Sequence, residues 1–435
     1  MAVAPDELGF TARTLSSFRS RNFRLFFTGQ TVSNTGNWLT LVAMTLLVLH
    51  RTGSGVAVGT LAACQFGPIL LLSPFAGVVV DRTNKHRLLV ITQSLSMGQS
   101  FLLAALVFTH QTPLVALYAT AALGGCLLAF DNPVRRTFVN EMVPAEDVPN
   151  AVTLYSAMVN ISRIAGPALA GVLIVTVGFG WCFAIDGLSY VTVLVALQMM
   201  RPDELRRVPV AKRGAGQVRA GVRYVLGVPD LWIPFAVLLV IGTLSYNFTV
   251  VFPLFVEHGL GGSDTDYTLV YSSFSAGALI GAVLVARRRT VTITTIATGA
   301  ALMGVGMLAL SVVPNVAFAL LLAVPLGAAS VAYLTATTAI AQLRADPQMV
   351  GRVLALQTVL IVGTTPIGGP ILGALSDVAG ARAPMVLGGV VAIAAAAFGF
   401  VAGRRVDANA KAKAKANADV ATPVPALDPS LQEVP

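Results

Sequence analysis

Long apolar runs separated by short polar intervals repeat along the whole chain. They cover residues 25–49, 57–80, 88–109, 113–134, 151–177, 180–200, 231–256, 267–286, 290–312, 315–341, 353–377 and 383–403. At a rise of about 1.5 Å per residue, runs of roughly 20 residues or more match a hydrocarbon core of about 30 Å, with room for tilt. The pattern predicts twelve transmembrane helices, an all-α integral membrane protein. The 201–230 interval is the longest polar stretch between runs and divides them six and six. It carries Pro and Gly punctuation and a short amphipathic piece near Arg219 to Leu226, which suits a cytoplasmic linker with an interfacial helix. The expected organisation is an N-terminal arm (1–24), a first half (25–200), the linker (201–230), a second half (231–403) and a tail (404–435). The tail, rich in Ala and Lys and then Pro-bearing, cannot bury a core and is expected to be disordered.

Composition narrows the class. Hydrophobic residues make up 55% and charged residues 11% of the chain, with a mean hydropathy of +0.78. Soluble domains carry about a quarter charged residues, so water alone cannot be the solvent here. The arm is polar with scattered apolar residues, so the first helix is expected to be its own insertion signal. Cys64, Cys126 and Cys182 fall inside apolar runs without metal spacing and read as packing residues. The net charge of +9 would raise nucleic acid as a partner, but its placement argues otherwise. With the N-terminus in the cytoplasm, 26 of 29 Lys and Arg fall on the cytoplasmic side. Arg51 and Arg382 lie outside, and Arg163 lies within a run. That asymmetry predicts a multi-pass cell-membrane protein with both termini cytoplasmic, bound by lipid rather than nucleic acid.

Ionisable residues inside the runs are expensive and need a reason. Arg163 is the deepest, about 18 Å from the start of its run by helical rise. Ser156, Asn160 and Arg163 stand at i, i+4 and i+7, on one helix face. Gln30, Asn34 and Asn37 repeat that spacing in the first run, with Ser33 and Thr40 beside them. Thr335, Thr338 and Gln342 form a stripe in the tenth, and Thr243 with Asn247 a shorter one in the seventh. For an isolated Asn or Thr, an interhelical hydrogen bond worth about 0.6 kcal/mol is explanation enough. A mid-membrane guanidinium needs water or a carboxylate, and both Asp186 and Asp131 come from neighbouring helices. Asp186 lies about 10 Å inside its run and is a candidate to exchange protons. Asp131 has Arg135 one turn on, which suits a helical ion pair. Glu257 and Asp377, at run ends, are expected to remain solvated. His50, His86, His110 and His258 sit at run edges with no metal spacing, so neither a metal site nor an enzyme is expected.

Three sets of residues carry a family resemblance. Gly77, Asp81-Arg82 and Lys85-His86-Arg87 resemble the loop signature between helices two and three of the major facilitator superfamily, with Asn84 where that motif has glycine. Gly166-Pro167 in the fifth run and Gly369-Pro370 in the eleventh stand 203 residues apart, the offset that also relates the first run to the seventh. Two six-helix halves in parallel relation, with substrate between them near midplane, are that superfamily's arrangement. Asp131-Asn132-Pro133-Val134-Arg135, the run from Arg163 to Pro167, and Asp186-Gly-Leu-Ser-Tyr190 are similar to the enterobactin-exporter-like branch. Its relatives include macrolide and multidrug effluxers.

The resemblance implies a cavity lined by the first, fourth, seventh and tenth helices, aided by the second, fifth, eighth and eleventh. Gln30, Asn34, Asn37, Asn160, Arg163, Thr243, Asn247, Thr335 and Thr338 would line it. It implies a gating loop at Gly77, Asp81, Arg82 and Arg87, and an antiporter-type motif at Gly166, Pro167 and Gly171. The expected activity is proton-driven export of amphipathic small molecules, drugs or a siderophore, by a monomer without cofactor. An importer or passive facilitator is the alternative in the same fold, and a receptor or scaffold the remote one.

Overall fold

The computed structural model describes residues 15–206, 217–288 and 290–420. Within them the chain is helical throughout, and twelve stretches are long and apolar enough to cross a membrane. The first half is α1 (Arg21–Thr52), α2 (Gly55–Arg82), α3 (Lys85–Phe108), α4 (Leu114–Phe138), α5 (Val148–Thr176) and α6 (Phe179–Gln198). The amphipathic α7 (Gln217–Gly227) lies in the linker, and residues 207–216 of that linker are outside the described residues. The second half is α8 (Pro229–Leu244), α9 (Phe248–Leu254), α10 (Asp264–Ala286), α11 (Ile293–Ser311), α12 (Val316–Arg344), α13 (Val350–Val362), α14 (Thr365–Ala379) and α15 (Ala383–Val420). Large apolar side chains such as Leu71, Val115, Leu321 and Val378 stand fully outward, a surface only lipid can cover.

Turn chemistry lets these runs fold back within two residues. Gly53 ends α1 in the left-handed region at φ 60°, and the Ser54 hydroxyl caps α2 at once. Between α2 and α3 only Thr83 and Asn84 are non-helical. Asn84 is extended (φ −68°, ψ 113°) and accepts from Arg87 N, so this position works as a helix cap rather than as a left-handed glycine substitute. Asp81-Arg82 and Lys85-His86-Arg87 therefore ride on helix ends, not in an open loop.

Two crossings expected as single helices are broken. Pro366 lacks an N–H and crowds the carbonyl four residues back, so the eleventh crossing parts at Gly363–Thr364 into α13 and α14. The seventh parts at Ser245–Asn247, then closes with a π turn over Phe255–Gly259. Asn247 Nδ2 donates to the carbonyls of Gly242 (3.0 Å) and Thr243 (2.9 Å), taking up acceptors that the break releases. The tail also differs from expectation. α15 runs past Arg405 to Val420, because Ala and Lys are strong helix formers, so residues 404–420 are helical where disorder was expected. Residues 421–435 lie outside the described residues.

The halves meet through α2 against α14 and α5 against α10. Glycines permit both approaches: a Cβ on Gly59 would strike the Gly369 carbonyl, and one on Gly171 would strike the Thr268 hydroxyl. These contacts lie towards the face opposite the N-terminus. There Asp377 accepts from Gly55 N (2.6 Å), Val56 N (3.0 Å) and Ser54 Oγ (2.8 Å), capping α2 from the other half. Asp377 is exposed, as expected, yet it is also a fastener. On the basic face the halves diverge: α14 packs along α2, whereas α13 meets it only weakly, with Leu70 against Gly363.

Candidate transport site and charged network

Arg163 stands on the α5 face between two packed stripes. Ser162 and Gly166 meet α1 at Thr35 and Trp38. Ile164 and Gly171 meet α10, the first through a hydrogen bond from Ser272 Oγ (3.2 Å). By helical geometry Arg163 and Ser156 point between those stripes, into the gap separating the halves, with Asn160 flanking them. The guanidinium carbon lies 6.0 Å from the Trp38 ring centroid, at cation–π range. The phenols of Tyr246 and Tyr271, both from the second half, face the same group.

Neither expected carboxylate reaches Arg163. Asp131 is ion-paired with Arg135, one turn along α4, and accepts from Thr92 Oγ1 and Gln93 Nε2 at 2.8 Å each. Asp186 accepts from Thr40 Oγ1 and Ser100 Oγ at 2.7 Å each. Glu257 is engaged by His50, and Asp377 by the start of α2. Among the described residues Arg163 is thus a membrane-depth cation whose surroundings are aromatic rather than acidic.

The α1 stripe turns the other way from expectation. Asn34 Oδ1 accepts from Arg135 Nη1 (3.0 Å), Asn37 Oδ1 from Tyr190 Oη (2.6 Å), and Thr40 donates to Asp186. Gln30 is fully buried with both amide atoms unpartnered. These residues face the interior of the first half, where Asn34 meets Arg135 and Thr40 meets Asp186 at positions about 9 Å apart along α1. The reason is that α4 and α6 bring buried charges there, and a charge at that depth draws the nearest polar side chains.

In the second half Asn247 is buried capping its broken helix, and Thr243 is half-buried with its hydroxyl on the Leu239 carbonyl. Thr338 accepts from Gln357 Nε2 (2.8 Å), and Thr335 is half-buried beside it. On the basic face, Arg82 and Arg87 are exposed, and among the described residues neither bonds the second half. The Asp81 side chain lies outside the described residues. The neighbouring Lys85 is ion-paired with Glu141, and His86 Nε2 lies 2.8 Å from the Leu197 carbonyl oxygen, so this turn is tied to its own half. Gly166 and Gly171, expected as part of an antiporter-type motif, are close-approach points onto Trp38 and Thr268.

Sequence reasoning missed Trp38, Tyr246 and Tyr271, since an aromatic inside an apolar run carries no local mark. Nor did it mark how deeply Arg135 is buried, beside Asn34 of α1.

Two six-helix halves, fastened on one face, parted on the other and enclosing a cation at mid-depth, define a membrane transporter. The chain belongs to the transmembrane secretion effector family of the major facilitator superfamily, whose model matches residues 12–431. It is 30% identical to the Staphyloferrin A transporter of Staphylococcus aureus over 178 residues, 40% of this chain and 45% of that one. To the Multidrug efflux pump Tap of Mycolicibacterium fortuitum it is 28% identical over 390 residues, 82% of this chain and 91% of the relative. Its fold matches a bacterial homolog of the human lysosomal transporter Spinster in an inward-facing, unoccupied conformation. That match has a TM-score of 0.72 at 16% identity and covers 88% of this chain and 97% of the other. These relatives are transporters, not enzymes.

Proposed function

We propose that this chain exports amphipathic small molecules bearing an anionic group, drugs or a siderophore, by alternating access driven by proton entry. The observation that carries this reading is Arg163: a guanidinium between the halves, beside Trp38, Tyr246 and Tyr271, without a carboxylate partner among the described residues. Arginine stays protonated at any accessible pH, so with no carboxylate beside it among the described residues it is free to be solvated by water or to pair with an anionic group of the transported molecule. Aromatic rings from both halves supply the apolar side of an amphiphile's site. The basic face is cytoplasmic by its Lys and Arg content, so the site opens to the compartment that an exporter empties.

Coupling is assigned to Asp186 and Asp131. Protonating either carboxylate weakens its hold on the hydroxyl donors or on Arg135, and so changes the packing of α1, which also carries Trp38. Names of relatives support export, and the same fold also supports import or passive movement. Cellular accumulation of a fluorescent carboxylate amphiphile, with and without a protonophore, separates these readings. Export predicts lower accumulation in expressing cells, abolished by the protonophore; higher accumulation would mean import. Orientation is checked by Gln111→Cys, expected to label from outside intact cells, and Gly351→Cys, expected to label only after lysis.

A further inference from the structure

Three electron-pair donors from the two halves converge on the face opposite the N-terminus. His50 ends α1, Glu257 lies in the π turn after α9, and Asp264 opens α10. His50 Nε2 is 3.1 Å from Glu257 Oε1 and 2.9 Å from Asp264 Oδ1. One imidazole nitrogen carries at most one hydrogen, and a hydrogen points along one line. A single hydrogen cannot point at both carboxylates, yet the three ligand atoms all lie within 4.8 Å of one another.

Those separations are close to the edges of a zinc coordination polyhedron. Ligands at about 2.0–2.2 Å in a tetrahedron stand about 3.3 Å apart, so a few tenths of an ångström of expansion admits the ion. The imidazole is already oriented, with the Phe179 ring edge-on to it at 5.5 Å between centroids. A surface cavity of about 470 Å³, lined by the trio and by His258, Gly261 and Ser263, leaves the remaining side open to water. One neutral nitrogen with two carboxylates suits zinc or a similar transition ion, whereas calcium seeks six or more oxygens.

We propose that His50, Glu257 and Asp264 form a zinc-type metal site that ties α1 to the second half and holds this face closed. His50 stands more than 200 positions before Glu257 and Asp264 in the chain, which is why no ligand spacing announces the site. The site stands apart from Arg163 and does not depend on the substrate.

The test is calorimetric titration of purified, untagged, full-length protein with zinc chloride, with calcium chloride as control. One zinc per chain is expected, with at least tenfold weaker binding in His50→Ala and in Asp264→Asn, and unchanged binding in the exposed-histidine control His110→Ala. Zinc is also expected to raise the thermal midpoint of the wild type and not that of His50→Ala. His50→Ala removes an exposed side chain, so it reports even if Asp264→Asn disturbs the start of α10. Absent zinc binding, or binding unaltered by His50→Ala, would mean that the trio is a hydrogen-bonded fastener only and would overturn the proposal.

Discussion

The two halves descend through the same order of helices, yet their interiors have opposite chemistry. Asp131, Arg135, Glu141 and Asp186 are the buried charged side chains among the described residues, and all four are in the first half. The second half is filled by rings instead. Phe248, Phe252, Tyr271 and Phe274 pack together, with Phe248 and Phe274 only 4.5 Å apart between centroids. Its helices close on glycine, as where Gly277 meets the Val324 carbonyl. It also contains both broken crossings. The difference separates two tasks that a transporter must join: groups that can change charge on one side, apolar surface and flexible backbone on the other. Arg163 belongs to the first half but faces phenols of the second, so it stands where the two chemistries meet.

The largest way to break this asymmetry is to strip one partner from the charged interior. Arg135→Leu leaves Asp131 buried and uncompensated, which costs about 3–5 kcal/mol where such pairs have been broken. The expected result is a large fall in thermal midpoint and in the yield of monodisperse protein. Asp131→Asn with Arg135→Gln removes both charges and is expected to recover much of that stability while transport stays lost. Stable protein from Arg135→Leu alone would mean that water reaches Asp131.

Arg163 comes next, and here the effect falls on transport rather than on folding. Arg163→Ala is expected to lower efflux at least tenfold in proteoliposomes with near-normal stability, because no carboxylate is left behind. Arg163→Lys keeps the charge but loses the planar fork that grips an anion through two parallel bonds, so partial activity is expected. Tyr271→Phe, removing one hydroxyl that faces the guanidinium, is expected to weaken transport less than either. Wild-type efflux from Arg163→Ala would remove this residue from the binding site.

Asp186→Asn sharpens the coupling side of the comparison. The amide can still accept from Thr40 and Ser100, so folding is expected to survive. An amide cannot take up a proton, so uphill efflux against a substrate gradient should fail while downhill exchange persists. Loss of both would place Asp186 in structure alone.

How much of this was legible depended on the range of the interaction. The runs predict the crossings because lipid length and hydropathy act locally, residue by residue. Asp131–Arg135 was readable for the same reason, at one helical turn. The direction of the Asn34, Asn37 and Thr40 stripe was not, because it follows from charges on α4 and α6 far along the chain. The apolar period of the seventh run conceals its break, which is compensated by a single side chain, Asn247. Pro366, by contrast, marks the break in the eleventh in plain sight. The aromatic neighbours of Arg163 were the least visible, since rings in an apolar run serve lipid, packing and binding alike.

The smallest effect tests the second half directly. Gln357 on α13 is buried and donates to Thr338 on α12 at 2.8 Å, while Thr338 itself donates to the Leu334 carbonyl. Both groups are neutral, and truncating Gln357 leaves Thr338 still bonded within its own helix. The loss is therefore one interhelical hydrogen bond, about 0.6 kcal/mol on average in a membrane. Gln357→Ala is expected to shift the thermal midpoint slightly and to leave efflux within about twofold of wild type, a fold-change worth less than about 0.5 kcal/mol. If Gln357→Ala instead abolished uphill efflux, as Asp186→Asn is expected to do, the second half would hold a working polar site of its own. The division between a charged half and an apolar half would then describe packing and not function.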